Sequence, residues 1–142
     1  MKIDVLKKED LTPQIQTQIS DLFKQLAPDL KQANLDRVLD NSNKATLVYC
    51  VANGQILGIA SLCEYLAISG NKGWIEDVVV DFNSRGQGIG RKLMEKLLDI
   101  AKEKELAEIL LFSGHHRVPA IQMYKSLGFV LRESGLYFLS NR

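Results

Sequence analysis

Two acids stand side by side in an apolar run, Ile75-Glu76-Asp77-Val78-Val79-Val80, and a glycine-rich loop, Arg85-Gly86-Gln87-Gly88-Ile89-Gly90, follows closely. Period-two alternation puts Trp74, Glu76, Val78 and Val80 on one face of a strand, with Ile75, Asp77 and Val79 on the other. An acid on a buried strand costs free energy unless it is paired or solvated in a cleft. A carboxylate in a cleft beside the glycine loop suits proton removal. A lysine partner or an exposed edge would instead make either acid structural. A bulge in this strand would change which acid faces the cleft.

The glycine loop joins the strand-like stretch Trp74–Asp81 to a helix-like one, Ile89–Lys104. Glycines at such a junction let the backbone turn tightly and approach a ligand. The helix start offers unpaired N–H groups and the positive end of its dipole. This is a setting for a pyrophosphate. The Walker pattern is excluded, because Gly90 is followed by Arg91 and Lys92 with no Ser or Thr. The dinucleotide fingerprint is excluded by its spacing and by its place far into the chain. A glycine-rich turn with no ligand is the bland alternative.

Other reactive side chains lie further on. Tyr124, on a helix read from about Val118 to Ser126, suggests half-buried packing when taken alone. His115, His116 and Arg117 follow a strand at its C-terminal end, the edge where open α/β sheets bind ligands; an exposed loop is the plainer reading. Adjacent histidines rarely point the same way and no third ligand has suitable spacing, so no metal is expected. No Ser/His/Asp arrangement or nucleophile elbow is visible.

The elements that must position these groups follow from periodicity. Lys2–Leu6 reads as a short strand. Thr12-Pro13 signals a helix start, with Ile15, Ile19, Leu22, Phe23 and Leu26 at helical spacing. Asn34–Asp40 holds a shorter helix with Leu35, Val38 and Leu39 inward. Ala45–Ala52 and Gln55–Ile68 form a hairpin around Asn53-Gly54. Gly70–Gly73 reads as a turn and Trp74–Val80 as the next strand, completing an antiparallel meander. Ile89, Leu93, Leu97 and Ala101, widened by Met94, make one helix face. Glu108–Ser113 is a buried strand, and the crossover helix implies that it runs parallel to Trp74–Val80. Gly128 stops the last helix. Phe129–Glu133 and Leu136–Ser140 should close the fold as a strand pair around Ser134-Gly135. The expectation is one α/β domain, residues 1–142, with a mixed, mostly antiparallel sheet and helices on both faces.

Composition agrees. The chain has 142 residues, 46% hydrophobic and 25% charged, and a formal charge of +1. That suits one soluble domain and gives no bulk field toward nucleic acid or membrane. No apolar stretch approaches a membrane span, and MKIDVLKKED is no signal peptide. A cytoplasmic location is expected. In the hairpin, a two-residue loop puts Cys50 opposite Leu57 and Cys63 opposite Lys44. The two sulfurs then lie about 20 Å apart, too far for a disulfide, and both read as packed thiols in a reducing compartment. A catalytic cysteine is the lesser alternative.

The order of elements and two motifs resemble the GNAT superfamily of acyl-CoA-dependent N-acetyltransferases, over nearly the whole chain. IEDVVVDFNSRGQGIGRKLMEKLL is similar to the family's acetyl-CoA motif, with Arg85, Gly88 and Gly90 in its defined places. VPAIQMYKSLGF is similar to the family's A-x-x-x-Y-x-x-x-G-F segment through Ala120, Tyr124, Gly128 and Phe129. The resemblance implies the GNAT fold, with strands 74–80 and 108–113 splayed to admit the pantetheine arm of acetyl-CoA. Backbone N–H groups of Arg85, Gly86, Gln87, Gly88, Ile89, Gly90 and Arg91 would hold the pyrophosphate, and the backbone of Val78, Val79 and Val80 would pair with the arm. It implies Glu76, or second Asp77, as base, Tyr124 as acid for the leaving thiolate, and an N–H near Val79 for the oxyanion. Arg117 stands where many members have Asn, and with His115 and His116 it would meet an anionic group of the acceptor. The implied acceptor is a primary amine of a small molecule. A protein lysine or N-terminus, or a non-catalytic acyl-CoA sensor, are the alternatives, and a homodimer is compatible with the family.

Overall fold

A computed structural model describes residues 1–142. The backbone divides into two compact units, Met1–Phe112 and Ser113–Arg142. The first unit runs β1 (Lys2–Leu6), α1 (Pro13–Leu26), α2 (Leu35–Val38), β2 (Ala45–Ala52), β3 (Gln55–Ala67), β4 (Gly70–Val80), α3 (Ile89–Glu103) and β5 (Glu108–Leu111). The strands lie in the order β1-β2-β3-β4-β5. The first three pairings are antiparallel, and β4–β5 is parallel. The mixed, mostly antiparallel sheet is therefore the one read from the sequence.

Thr12 caps α1 by accepting a hydrogen bond at Oγ1 from the Ile15 N–H at 3.2 Å, with Pro13 in the first turn. The helix buries Ile19 and Leu22 in a cluster with Leu6, Leu39, Leu47, Ile56, Ile59 and Val79. The opposite face of the sheet takes α3. A Cβ at Gly58 would lie 3.0 Å from both Ile89 Cγ2 and Leu93 Cδ1, so Gly58 is where α3 comes down on β3. Leu93, Met94 and Leu97 have no exposed surface, and each contributes roughly 1.5–3 kcal/mol by leaving water. Helices thus cover both faces.

Two details of the hairpins differ from expectation. Asn53 and Gly54, at φ 52° and 75°, make the tight turn that keeps Ala52 opposite Gln55. Leu57 then forms a bulge, so Cys50 lies opposite Gly58 rather than Leu57, and Cys63 opposite Ala45 rather than Lys44. The extra residue lets Ile56 join the α1 cluster while Gly58 meets α3, although residues two apart on a regular strand share a face. Both cysteines are free. Second, Gly70–Gly73 is strand rather than turn; the reversal falls at residues 68–69. Gly73 is there for close approach: a Cβ would stand 2.6 Å from Leu62 Cδ1.

The second unit holds α4 (Val118–Ser126). It ends at Gly128, φ 99°, with the Phe129 N–H donating to Tyr124 O at 3.0 Å and the Gly128 N–H to Lys125 O at 3.1 Å. These two bonds are the Schellman pattern. The closing pair Phe129–Glu133 with Leu136–Ser140 does not form, and residues 129–142 contain no strand. Alternating apolar residues permit a strand, but a two-stranded hairpin alone is marginal and needs a neighbouring edge. No helix is long and apolar enough to cross a membrane.

Candidate active site

The site is built around the point where one ladder stops. From Lys72 opposite Glu108 to Ile75 opposite Leu111, β4 pairs with β5. Lys72 Nζ lies 3.8 Å from Glu108 Oε2 across this pairing, and the Ala107 N–H donates to Asn71 O at 2.8 Å. Beyond Ile75 the parallel ladder ends, whereas β4 stays paired with β3 as far as Val80 opposite Gly58. Residues 76–80, which include Val78, Val79 and Val80, therefore have one edge against which no strand of the sheet lies. Its backbone groups form a template for an extended chain.

A second bulge coincides with this break. Glu76 pairs with Ser61 and Val79 with Ile59, so Asp77 and Val78 together stand opposite Ala60. Asp77 has φ 55°, a left-handed conformation that Asp tolerates better than most residues. The bulge reverses the phase of the strand. Ile75 lies opposite Leu62, on the α3 side, while Val79 lies in the α1 cluster. Ile75 and Val79 therefore lie on opposite faces, whereas simple alternation puts Ile75, Asp77 and Val79 on one.

Both acids reach solvent. Protein mass still thins the water around them: burial pushes the Glu76 carboxyl up, and the charge of Asp77 adds to it. Burial likewise pushes Asp77 up. Cys63 is also held in its thiol form, first by burial and then by the charges of Glu76, Asp77 and Glu64, which makes it a poor nucleophile.

After β4 the chain turns through a 3-10 segment, Phe82–Ser84. Asp81 Oδ2 accepts from the Asn83 N–H at 3.2 Å and from Ser84 Oγ at 3.4 Å. Gln25 of α1 reaches the same turn: Nε2 donates to Asp81 Oδ1 at 2.9 Å, and Oε1 accepts from the Phe82 N–H at 2.9 Å. The Arg85 guanidinium sits 5.3 Å from the Phe82 ring centroid, and its Nε donates to Val80 O at 3.3 Å. Sequence reasoning missed this scaffold. Asp81 with Asn83 and Ser84 carried the signal of an Asx turn. Gln25 carried none, because its partners are remote in the chain.

Gly86 and Gly88, at φ 80° and 77°, are left-handed, and a Cβ at either would meet nothing within 4 Å. Conformation, not room, is what these two glycines supply. Gly88 caps α3 without a side chain, and no acid lies in the first turn. The Lys92 N–H donates to Gly88 O at 3.1 Å, so the amides of Ile89 and Gly90 lie in the first turn, ahead of that bond. Arg91 Nε pairs with Glu95 Oε1 at 2.8 Å. Open amides, left-handed glycines and a free strand edge fit a coenzyme A diphosphate and its extended arm.

In the second unit, the Schellman bonds explain the spacing of Tyr124, Gly128 and Phe129. They bring the Phe129 ring edge-on to Tyr124, with centroids 6.1 Å apart and planes at 66°. Burial pushes the Tyr124 phenol up, and nearby Arg117 offsets only part of this, so Tyr124 holds its proton at neutral pH. His115, His116 and Arg117 are exposed on the turn before α4. A Cβ at Gly114 would fall 2.7 Å from His116 Cε1, so Gly114 makes room for that ring. The first unit thus gathers Glu76, Asp77, Val78, Val79, Val80 and the loop from Arg85 to Arg91 along one continuous path, and the second unit carries Tyr124 and residues 115–117. No group of three or more His, Cys, Asp or Glu is placed to hold a metal ion.

Comparison with known proteins gives a consistent result. Residues 12–129 match the acetyltransferase (GNAT) family. A glucosamine 6-phosphate N-acetyltransferase of Trypanosoma brucei brucei is 31% identical over 140 residues, covering 94% of this chain and 91% of that protein. An aminoglycoside acetyltransferase from an uncultured soil metagenomic sample, solved with trehalose, superposes with a TM-score of 0.83 at 23% identity, over 99% of this chain and 95% of that one. A predicted acetyltransferase of Clostridium acetobutylicum, solved with acetyl-CoA, has a TM-score of 0.74 at 21% identity, over 97% and 95%. These two likenesses concern the fold.

Proposed function

Because this chain belongs to the acetyltransferase (GNAT) family and is an acetyl-CoA-dependent N-acetyltransferase, we propose that it acetylates a primary amine of a small polar molecule, an amino sugar phosphate before others. The observation that carries the reading is the open half of β4 running into the left-handed glycine loop. The trypanosomal relative supports the acceptor class.

In this reading both units serve one catalytic domain. The amides from Arg85 to Arg91 grip the diphosphate, and the free edge at Val78, Val79 and Val80 aligns the arm. When bound, the donor supplies a thioester carbonyl. Glu76, directly or through a water, takes the proton of the acceptor ammonium and frees the nitrogen lone pair for attack. Asp77 is the second candidate for that role. A backbone N–H at Val79 steadies the oxyanion. Tyr124, which holds its proton at neutral pH, gives it to the departing sulfur. His115, His116 and Arg117 meet the anionic end of the acceptor. The two free cysteines support a cytoplasmic location, and a homodimer is the assembly to test by light scattering.

The test is thiol release from acetyl-CoA across a panel of amino sugars, amino sugar phosphates, polyamines and peptides. Turnover is expected with amino sugar phosphates. Tyr124→Phe should slow it at least about tenfold while the affinity for coenzyme A holds. Unchanged turnover removes Tyr124 from the mechanism. Turnover confined to peptides overturns the small-molecule acceptor, and tight coenzyme binding with no turnover on any amine makes the protein a sensor.

A further inference from the structure

We propose that Gln25 is a positioning residue for the coenzyme loop, holding from α1 the turn that aims the loop's amides. The inference rests on the reading of residues 85–91 as the diphosphate cradle. Its own support is a contrast within one helix.

α1 carries glutamines at 18 and 25, about two turns apart and so on one face. Each uses both ends of its amide on a turn of the sheet. Gln18 Oε1 accepts from the Ile56 N–H at 2.8 Å, and its Nε2 donates to Gly54 O at 3.4 Å. Gln25 makes the same two-pronged contact with the Phe82 N–H and with Asp81 Oδ1, each at 2.9 Å. The chemistry is alike, but the segments held are not. Gln18 holds a hairpin turn. Gln25 holds the residues that join the open half of β4 to the glycine loop.

Asp81 makes the second contact consequential. One carboxylate oxygen is taken by Gln25, and the other by the Asn83 N–H and Ser84 Oγ. Meanwhile the Asp81 N–H donates to Leu57 O at 2.8 Å. One residue therefore ties α1 and the 3-10 turn through its carboxylate and β3 through its backbone N–H. Removing Gln25 leaves the Phe82 N–H and one Asp81 oxygen to water. The loop then has more conformations to lose when it closes on a diphosphate, and that ordering cost weakens binding.

The experiment is calorimetry with coenzyme A on the full chain, comparing the native protein with Gln25→Met and Gln18→Met, joined by acetyl-CoA kinetics and thermal melts. Methionine keeps the apolar stem and loses both prongs. Gln25→Met should weaken coenzyme A binding and raise KM for acetyl-CoA by roughly tenfold, the worth of one to two hydrogen bonds, with kcat little changed. Gln18→Met, whose side chain is the more buried of the two, should lower Tm at least as much and leave coenzyme affinity alone. Equal affinity in Gln25→Met and the native protein overturns the proposal, as does an equal loss in both variants. No heat from the native protein overturns the diphosphate reading itself and this proposal with it. Should Gln25→Met fail to fold, Gln25→Glu keeps the acceptor for the Phe82 N–H and sets a like charge against Asp81. Weaker coenzyme binding in that variant supports the role, and unchanged binding overturns it.

Discussion

The two halves of β4 share β3 as a partner on one edge and differ on the other. Gly70–Ile75 is sealed: β3 pairs along one edge and β5 along the other from Lys72 to Ile75, Leu62 closes over Gly73, and Lys72 reaches Glu108 across the ladder. Glu76–Val80 keeps only β3. The difference teaches that this site arises from ending a ladder rather than from adding an unusual residue. A bare edge invites pairing with other chains, and charges on an edge oppose that. Glu76 and Asp77 stand where the seal ends, so their charges sit where they protect the bare edge.

The sharpest break of this comparison is an acid removed in the open half and one removed beside the sealed half. Glu76→Gln should lower kcat/KM by about 100- to 1,000-fold, the usual worth of a general base, with coenzyme affinity unchanged in calorimetry. Glu108→Gln, on β5 opposite Lys72 of the sealed half, should leave turnover near native, since a partly exposed ion pair contributes about 0–1 kcal/mol. Equal activity in the two variants would erase the distinction drawn here. A collapse with Asp77→Asn in place of Glu76→Gln would move the base by one residue.

Much of the sealed architecture was legible in the sequence. Helical spacing located α1 and α3, Asn53-Gly54 set the first hairpin, and the helix between two apolar strands implied the parallel pair. The glycine loop was legible too, because positive φ leaves a chemical trace in the choice of glycine. What was not legible depends on contacts between remote residues. The bulges at Leu57 and Asp77 insert one residue each, and neither residue type announces a bulge. The end of the β4–β5 ladder after Ile75 is a property of two strands together. Gly73 read as part of a turn because a strand glycine shaped by Leu62 looks the same in sequence. The pair expected at Phe129–Glu133 and Leu136–Ser140 failed for the converse reason: local alternation was present, but no partner edge was specified.

A second contrast uses glycines. Gly88→Val forces a β-branched side chain into φ 77°, a strain of order 1–3 kcal/mol. It should weaken coenzyme A binding about tenfold, because the first amides of α3 lose their aim. Gly73→Ala leaves the loop untouched and instead places a methyl 2.6 Å from Leu62 Cδ1. Leu62 is fully buried and has little room to yield, so stability should fall by about 1–3 kcal/mol with coenzyme affinity preserved. Denaturant titration and calorimetry on both variants read the two effects separately. Loss of affinity in Gly73→Ala would mean that the halves of β4 are mechanically coupled.

The smallest expected effect is electrostatic and tests the pairing of the two acids. A base acts when deprotonated, so kcat/KM should rise with pH through the raised pKa of Glu76. Burial is the larger cause of that elevation and the charge of Asp77 the smaller. Asp77→Asn should therefore move the acidic limb to lower pH without returning it to the ordinary carboxylate range. Stability runs the other way. Each acid binds its proton more tightly in the folded chain than in the unfolded one, so its contribution favours folding at low pH and is lost as pH rises through the folded pKa. The pH range that activates the base is thus the range in which folding loses this support. A limb that stays in place, or moves upward, in Asp77→Asn would show that the two carboxyls do not act on one another, and the open half of β4 would then hold one functional acid and one bystander.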